Sequence, residues 1–150
     1  HIDLDGNDYW IIESLDLKTF NPDILILEYN AVFGPNKFIS VPYDDKFNRF
    51  DAHYSGKYFG ASLSALNYIV EKKGYYFIGC NSAGNNAYFL LNKYISKIPK
   101  INITEGYQTA GFREARNKNG ELIYSDTNEE IKTLNGMSVV NVLTNQKEII

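Results

Sequence analysis

Apolar runs and polar breaks divide the chain into a small set of elements. His1-Ile2-Asp3-Leu4-Asp5-Gly6 reads as the end of a buried strand opening into a turn. Asn7 or Asp5 is placed to cap a helix, and Ile11, Ile12 and Leu15 recur behind it at helical spacing. Pro22 closes the connection, and residues 23–29 follow with the run Ile24-Leu25-Ile26-Leu27. An uninterrupted run ended by polar residues predicts a strand covered on both faces. Strand, short helix, buried strand predicts a βαβ unit with parallel strands and a right-handed crossover.

Residues 30–60 break this rhythm. Gly34, Pro35, Pro42, Gly56 and Gly60 punctuate a stretch rich in Phe, Tyr, Asn and Asp, with a short strand predicted at 38–41. A long connection of this kind inside a compact domain is usually a lid or a binding loop. Residues 61–73 predict an amphipathic helix with Leu63, Leu66, Ile69 and Val70 as its stripe and Gly74 after it. A strand at 75–80, a tight turn at 81–86 and a strand at 87–91 returning antiparallel come next. Beyond Asn92 the pattern weakens: a connector at 93–107, and a hairpin around Asn119-Gly120 joining 112–116 to 121–124. Asp126 or Thr127 caps a short helix ahead of Gly136, and residues 139–143 form a last strand.

Composition narrows the partners. A net charge of −3 with 22% charged residues offers no surface for tracking phosphates, so nucleic acid is not expected. No apolar run approaches the roughly twenty residues that span a bilayer. Cys80 is the single cysteine, which excludes a disulfide framework and fits a cytoplasmic setting. Twelve Tyr and nine Phe against one Trp suit sugar-like or amphipathic ligands, or simply packing. The strand pattern is under way by Ile2 and the first residue is not Met, which predicts further sequence of the same domain upstream.

The order of elements, with a final strand inserted antiparallel beside parallel neighbours, resembles the C-terminal half of class I methyltransferases. The opening run His1-Ile2-Asp3-Leu4-Asp5-Gly6-Asn7-Asp8 is similar to the Ile-Asp-Val-Glu-Gly-x-Glu run of FkbM-type S-adenosylmethionine-dependent methyltransferases. Asp5 stands where that family has Glu, and Asp8 at its second Glu. Pro22-Asp23-Ile24-Leu25-Ile26-Leu27-Glu28 likewise resembles the family's fifth strand. The resemblance covers residues 1–91 and implies that 23–29, 75–80 and 87–91 are the fifth, sixth and seventh strands. The implied fold is α/β, a Rossmann-like mixed sheet of parallel strands plus a C-terminal antiparallel hairpin, incomplete at its N-terminal side. Residues 1–92 would be the C-terminal half of that domain, and 93–150 an irregular α+β extension packed on it.

The implied activity is methyl transfer from S-adenosylmethionine to an oxygen of a small-molecule or saccharide acceptor. The family's Gly-rich cofactor loop would lie upstream of His1, and no G-x-G-x-x-G occurs in the chain, so the chain alone is expected to bind the cofactor poorly or not at all. An exposed sheet edge would then invite self-association.

Candidate chemistry follows from position. Asp3, at a strand's carboxyl end, is the candidate catalytic residue, as general base on an acceptor hydroxyl or as an orienting group. Asp5 and Asp8 cap the helix on the simpler reading. Asp3-x-Asp5-x-Asn7 has calcium-loop spacing, but Asp8 and Ser14 stand where such a loop needs Gly and Glu, so no metal is expected. Glu28, Tyr29 and Asn30 end the next strand as acceptor-binding groups or as the start of a turn. His53 and Tyr58 belong to an aromatic loop with Tyr43, Phe47, Phe50, Tyr54 and Phe59, and Asn81 to the hairpin turn; each is an acceptor contact or a structural residue. Cys80 reads as inert packing, and Arg113, Glu114 and Arg116 as a solvated cluster. Two other functions stay open: a non-catalytic saccharide- or protein-binding module, and a metal-dependent glycosyltransferase recognised by its Asp-x-Asp.

Overall fold

The computed structural model describes residues 1–111, 114–124 and 127–150. α1 (Asp8–Ser14) and the single turn α2 (Leu17–Phe20) lead into β1 (Ile24–Glu28). Asn7 holds the cap position of α1 without a side-chain cap bond. Its Nδ2 instead donates to the Asp44 carbonyl at 2.7 Å. Asp8 does not cap the helix either: its carboxylate turns back to accept the N–H groups of Leu4 and Gly6 in the preceding loop at 2.9 and 3.1 Å.

A 3₁₀ turn at Ala31–Phe33, β2 (Ile39–Ser40) and the single turn α3 (Arg49–Ala52) occupy the long connection. α4 (Leu63–Lys72) starts behind Ser62, whose Oγ accepts from the Ala65 N–H at 3.2 Å. Gly74 follows with φ +90°, a left-handed conformation that only glycine adopts cheaply. β3 (Tyr75–Cys80) and β4 (Asn86–Leu91) form the expected hairpin.

The principal sheet has the order β1-β4-β3, and both of its ladders are antiparallel. The expected parallel Rossmann-like arrangement is therefore not what the ladders form. Its reason is the hairpin: β4 returns between β1 and β3, so two strands pointing the same way never touch. Among the described residues, the one parallel contact is an isolated bridge from Ile2 to Leu27. There the Ile2 N–H donates to Ile26 O at 2.9 Å, and Ile2 O accepts the Glu28 N–H at 3.0 Å. The expected opening strand thus shrinks to one residue, and residues 3–6 form a loop. Burial on both faces of β1 holds only in part: Leu25 and Leu27 are buried on one face, while the other runs from Ile24, 53% exposed, through half-buried Ile26 to buried Glu28.

The tail is more regular than its sequence suggests. A 3₁₀ turn at Asn92–Tyr94 and α5 (Ile103–Gly106) interrupt the connector. β5 (Ala115–Arg116) pairs with β6 (Leu122–Ile123) around Gly120. Residues 112 and 113 of that expected hairpin, and the cap expected at Asp126, lie outside the described residues. α6 (Thr127–Thr133) precedes β7 (Ser138–Asn141), and β8 (Gln146–Ile149) follows. These last strands form a second antiparallel sheet, β2-β7-β8.

Two apolar clusters result. The larger packs Tyr9, Ile12, Leu66 and Val70 of the helices against Leu27, Phe77 and Phe89 of the sheet. The smaller joins Val32, Phe33 and Tyr58 to Leu134 and Val139, so the tail completes a core that the long connection begins. Among the described residues no helix is long and apolar enough to cross a membrane.

Asp8 links this packing to pH. Burial holds its carboxyl above the usual 3.8 despite the Leu4 and Gly6 N–H groups that pull it down. A carboxyl that binds its proton more readily when folded stabilises the fold at low pH. That contribution is lost as pH rises through the raised folded value. Urea titrations of wild type and Asp8→Asn at a series of pH values should therefore show wild type losing stability relative to the variant as pH climbs above 3.8, with no further change once Asp8 is ionised. A relative gain over that window would mean that the backbone hydrogen bonds outweigh burial.

Candidate functional site

The Ile2 bridge sets Asp3 beside the end of β1, and the two chain segments leave the sheet at one rim. Asp3 is exposed there, its Oδ2 3.8 Å from His1 Nε2. His1 Nε2 also lies 3.0 Å from Asn86 Oδ1, on the residue that pairs with Glu28. Asp5 takes φ +55° and turns its carboxylate to Arg49 Nη1 at 2.8 Å. Asp3, Asp5 and Asn7 therefore serve three different neighbours. Among the described residues, no three or more His, Cys, Asp or Glu side chains gather as a metal site.

The rim residues at the end of β1 are sealed. Glu28, Tyr29 and Asn30 are each at most 2% exposed. The Asn30 carboxamide donates to the carbonyls of Lys57 and Phe59 at 2.8 and 2.9 Å and accepts the Val32 N–H at 3.0 Å. Both its N–H groups are spent on main chain, so it latches the long connection to β1. The Tyr29 hydroxyl donates to Gln108 O at 2.6 Å, and its ring lies 6.1 Å from that of Tyr107. Burial pushes its pKa up, with the neighbouring Cys80 adding to the effect. Burial likewise pushes up the Cys80 thiol, which keeps it protonated and unreactive at neutral pH. Asn81 closes the β3–β4 turn, its Oδ1 accepting the N–H groups of Asn85 and Asn86.

The aromatic segment is the concave part of this region. It lies flat on the loop after Ile2: a Cβ on Gly6 would come within 2.2 Å of the Phe47 ring. Arg49 bridges the two by its bond to Asp5, with its guanidinium 4.8 Å from the centre of the Phe50 ring. Trp10 Nε1 donates to Val41 O at 2.9 Å from the far side. The segment forms a cleft of about 410 Å³ lined by Tyr43, Asp44, Asp45, Phe47, Ala52 and Tyr58. Tyr43 is 60% exposed, whereas Tyr58 is buried and donates its hydroxyl to Ser138 O. Asp3, Glu28, Tyr29, Asn30, His53 and Asn81 are not among the lining residues.

His53 stands behind the cleft, its ring 4.3 Å from Tyr54 and its Nδ1 2.7 Å from Ser55 Oγ. Ser55 N–H also points at Nδ1, at 3.3 Å, which makes that nitrogen the acceptor and places the ring proton on Nε2. Burial, and then the Lys118 charge, lower the His53 pKa, so the ring is neutral at pH 7.

Sequence reasoning passed over the ion pair that holds this wall. Lys57 Nζ and Glu130 Oε1 lie 2.9 Å apart, with side chains 2% and 6% exposed. A lysine inside a polar, aromatic loop carries no signal of burial; its one clue is an acidic helix elsewhere in the chain.

No family model matches this chain, and no curated protein or solved structure matches it.

Proposed function

We propose that this chain is the acceptor-side half of an S-adenosylmethionine-dependent O-methyltransferase, with a saccharide as the acceptor and the cytoplasm as its setting. The observation that carries the reading is the strand order. Ile2 lies parallel on β1, and β4 lies antiparallel between β1 and β3. Of what the sequence resemblance implies, the sheet keeps the final strand inserted antiparallel beside its neighbours.

The residues present do not hold the cofactor. The rim after β1 is filled by the buried side chains of Tyr29 and Asn30, and no Gly-rich strand-to-helix turn exists in the chain. Cofactor binding is therefore assigned to polypeptide outside these residues. Within this chain, the cleft beside Tyr43 and Phe47 receives the acceptor, its apolar ring faces meeting sugar C–H groups while Asp44 and Asp45 accept from hydroxyls. Methyl transfer to a hydroxyl needs alignment and the removal of one proton. Asp3, exposed on the rim outside the cleft lining, is assigned to accept that proton or orient the hydroxyl of an acceptor that extends past the cleft.

Two measurements test this. Coding sequence upstream of His1 should encode a Gly-rich turn roughly sixty to a hundred residues earlier, the length of two βαβ units. A start codon directly before His1 would instead leave a saccharide-binding module, a reading favoured by a cleft built wholly from this chain's residues. In the intact enzyme, Asp3→Asn should lower kcat about a hundredfold with the acceptor KM little changed. An unaltered kcat would remove Asp3 from the chemistry.

A further inference from the structure

The helices cover one face of the principal sheet, and the other face carries its own apolar set. Cross-strand partners share a face. Leu25, Phe89 and Phe77 are such partners and pack with α1 and α4. Their chain neighbours Ile24, Leu90 and Tyr76 are partners on the opposite face. Leu90 and Tyr76 are buried there, and the Tyr76 hydroxyl donates to Ile98 O at 2.8 Å, so residues 95–98 lie over them. Ile24 stays 53% exposed in the same cross-strand row, and Ile95 and Ile98, on the covering segment, are 53% and 44% exposed.

The same end of the sheet gathers positive charge. Leu91 N–H donates to Asp23 O at 3.0 Å and Asn92 N–H to Gly74 O at 2.9 Å, which brings residues 18–24, 72–74 and 91–98 together. Phe20, on α2 just ahead of Ile24, is 72% exposed. Lys18, on the same turn as Phe20, shares a depression of about 420 Å³ with Lys72 and Lys73. Lys97 stands exposed between Ile95 and Ile98, and Lys93 lies 2.5 Å from Asp23. Against these lysines stand Asp23, Asp16 in the depression and Glu13, whose carbonyl Lys73 holds. The Glu71–Lys100 pair beside them adds no net charge. This end is therefore positive on a chain whose net charge is −3.

We propose that this end of the molecule docks on the surface of an anionic lipid bilayer, with Phe20, Ile24 and Ile95 entering the headgroup layer and Lys18, Lys72 and Lys97 meeting the lipid charges. Shape and charge together select that occupant. The three apolar side chains project from the surface and line neither the aromatic cleft nor the lysine depression. Projecting apolar groups among long lysine stems suit a fluid interface that closes around them. An acidic soluble partner would answer the lysines yet need a socket for each apolar side chain, whereas an anionic bilayer answers both at once. The aromatic cleft lies against the loop after Ile2, past the other end of β1, so docking here leaves it unobstructed. The inference does not depend on methyl transfer.

The test is co-sedimentation of the full chain with sucrose-loaded vesicles of phosphatidylcholine alone and of phosphatidylcholine containing about a third phosphatidylserine. The chain should sediment with the anionic vesicles and not with the neutral ones, and binding should fall as salt is raised. Ile95→Ser should weaken it about tenfold, the loss of one apolar side chain from the interface. Lys97→Gln should weaken it about fivefold, the share of one lysine near an anionic surface. Both positions are exposed, so both variants keep the fold. No sedimentation with the anionic vesicles, equal sedimentation with the neutral ones, or unchanged affinity in either variant would overturn the proposal. A dimer in sedimentation velocity that Ile95→Ser dissolves would overturn it in favour of a second copy of the chain on this face.

Discussion

Lys57→Met is expected to lower unfolding free energy by about 3–5 kcal/mol, because it leaves the Glu130 carboxylate buried without the ammonium beside it. The magnitude comes from desolvation rather than from the attraction itself. A charge moved out of water costs more with each opposite charge taken from beside it. The double variant Lys57→Met/Glu130→Leu should therefore recover most of the loss, since neither side chain then carries a charge into the interior. Urea unfolding of wild type, both single variants and the double variant closes a thermodynamic cycle. A double variant no more stable than Lys57→Met would show that the pair's geometry, not its burial, is what matters.

Gly84→Ala should cost about 2–5 kcal/mol, combining a left-handed backbone penalty with overpacking. Gly84 sits in the β3–β4 turn at φ +71°, and a Cβ there would lie 2.0 Å from the Thr109 carbonyl oxygen. That oxygen is main chain and cannot swing aside. Gly111 N–H donates to Ala83 O at 3.1 Å, so the turn and the segment after Tyr107 are fastened at this point. Gly74→Ala is the control: φ is +90°, but nothing lies within 4 Å of the added carbon, so only the backbone penalty of about 1–2 kcal/mol applies. Thermal unfolding of the two variants separates the terms. Equal losses would mean that the tail yields around Gly84 without cost.

Local elements with a strong period were legible in the sequence. α4 shows its stripe and its closing Gly74, though it starts at Leu63 behind a Ser62 cap rather than at 61, and the β3–β4 hairpin announces itself through Asn81-Ser82-Ala83-Gly84-Asn85-Asn86 between apolar runs. Neighbours were not legible. A buried-looking run such as Ile24-Leu25-Ile26-Leu27 predicts a strand but not what pairs with it: the expected parallel partner is reduced to the single bridge at Ile2, and β1's long ladder is with β4. β8 went unseen because every one of its residues is exposed, so it has no alternation to read. Its register with β7 is reinforced by the Asn141–Glu148 side-chain bond at 2.8 Å.

The candidate site was legible in outline only. Polar residues at a strand's end suggest a rim, and Asp3 is indeed exposed on one. Asn30 and Tyr29 gave the same signal, yet their polar atoms serve carbonyls of residues 57, 59 and 108 that no local pattern connects to them. The cleft itself was foreshadowed by Tyr43, Phe47 and Tyr58 as a density of aromatics. The bonds that Trp10 and Arg49 make to and from the segment around it are contacts across the fold that composition does not encode.

The aromatic segment is propped from behind by the far end of the chain. Tyr58 is bonded to Ser138 and packs with Leu134, and Lys57 meets Glu130. Residues 42–59 leave the ribosome long before those props exist, so during synthesis they emerge as an unsupported, tyrosine-rich loop. The cleft takes its shape only once the last turn of α6 and β7 have been translated and docked. Until then the nascent chain is open to proteases and chaperones at that loop.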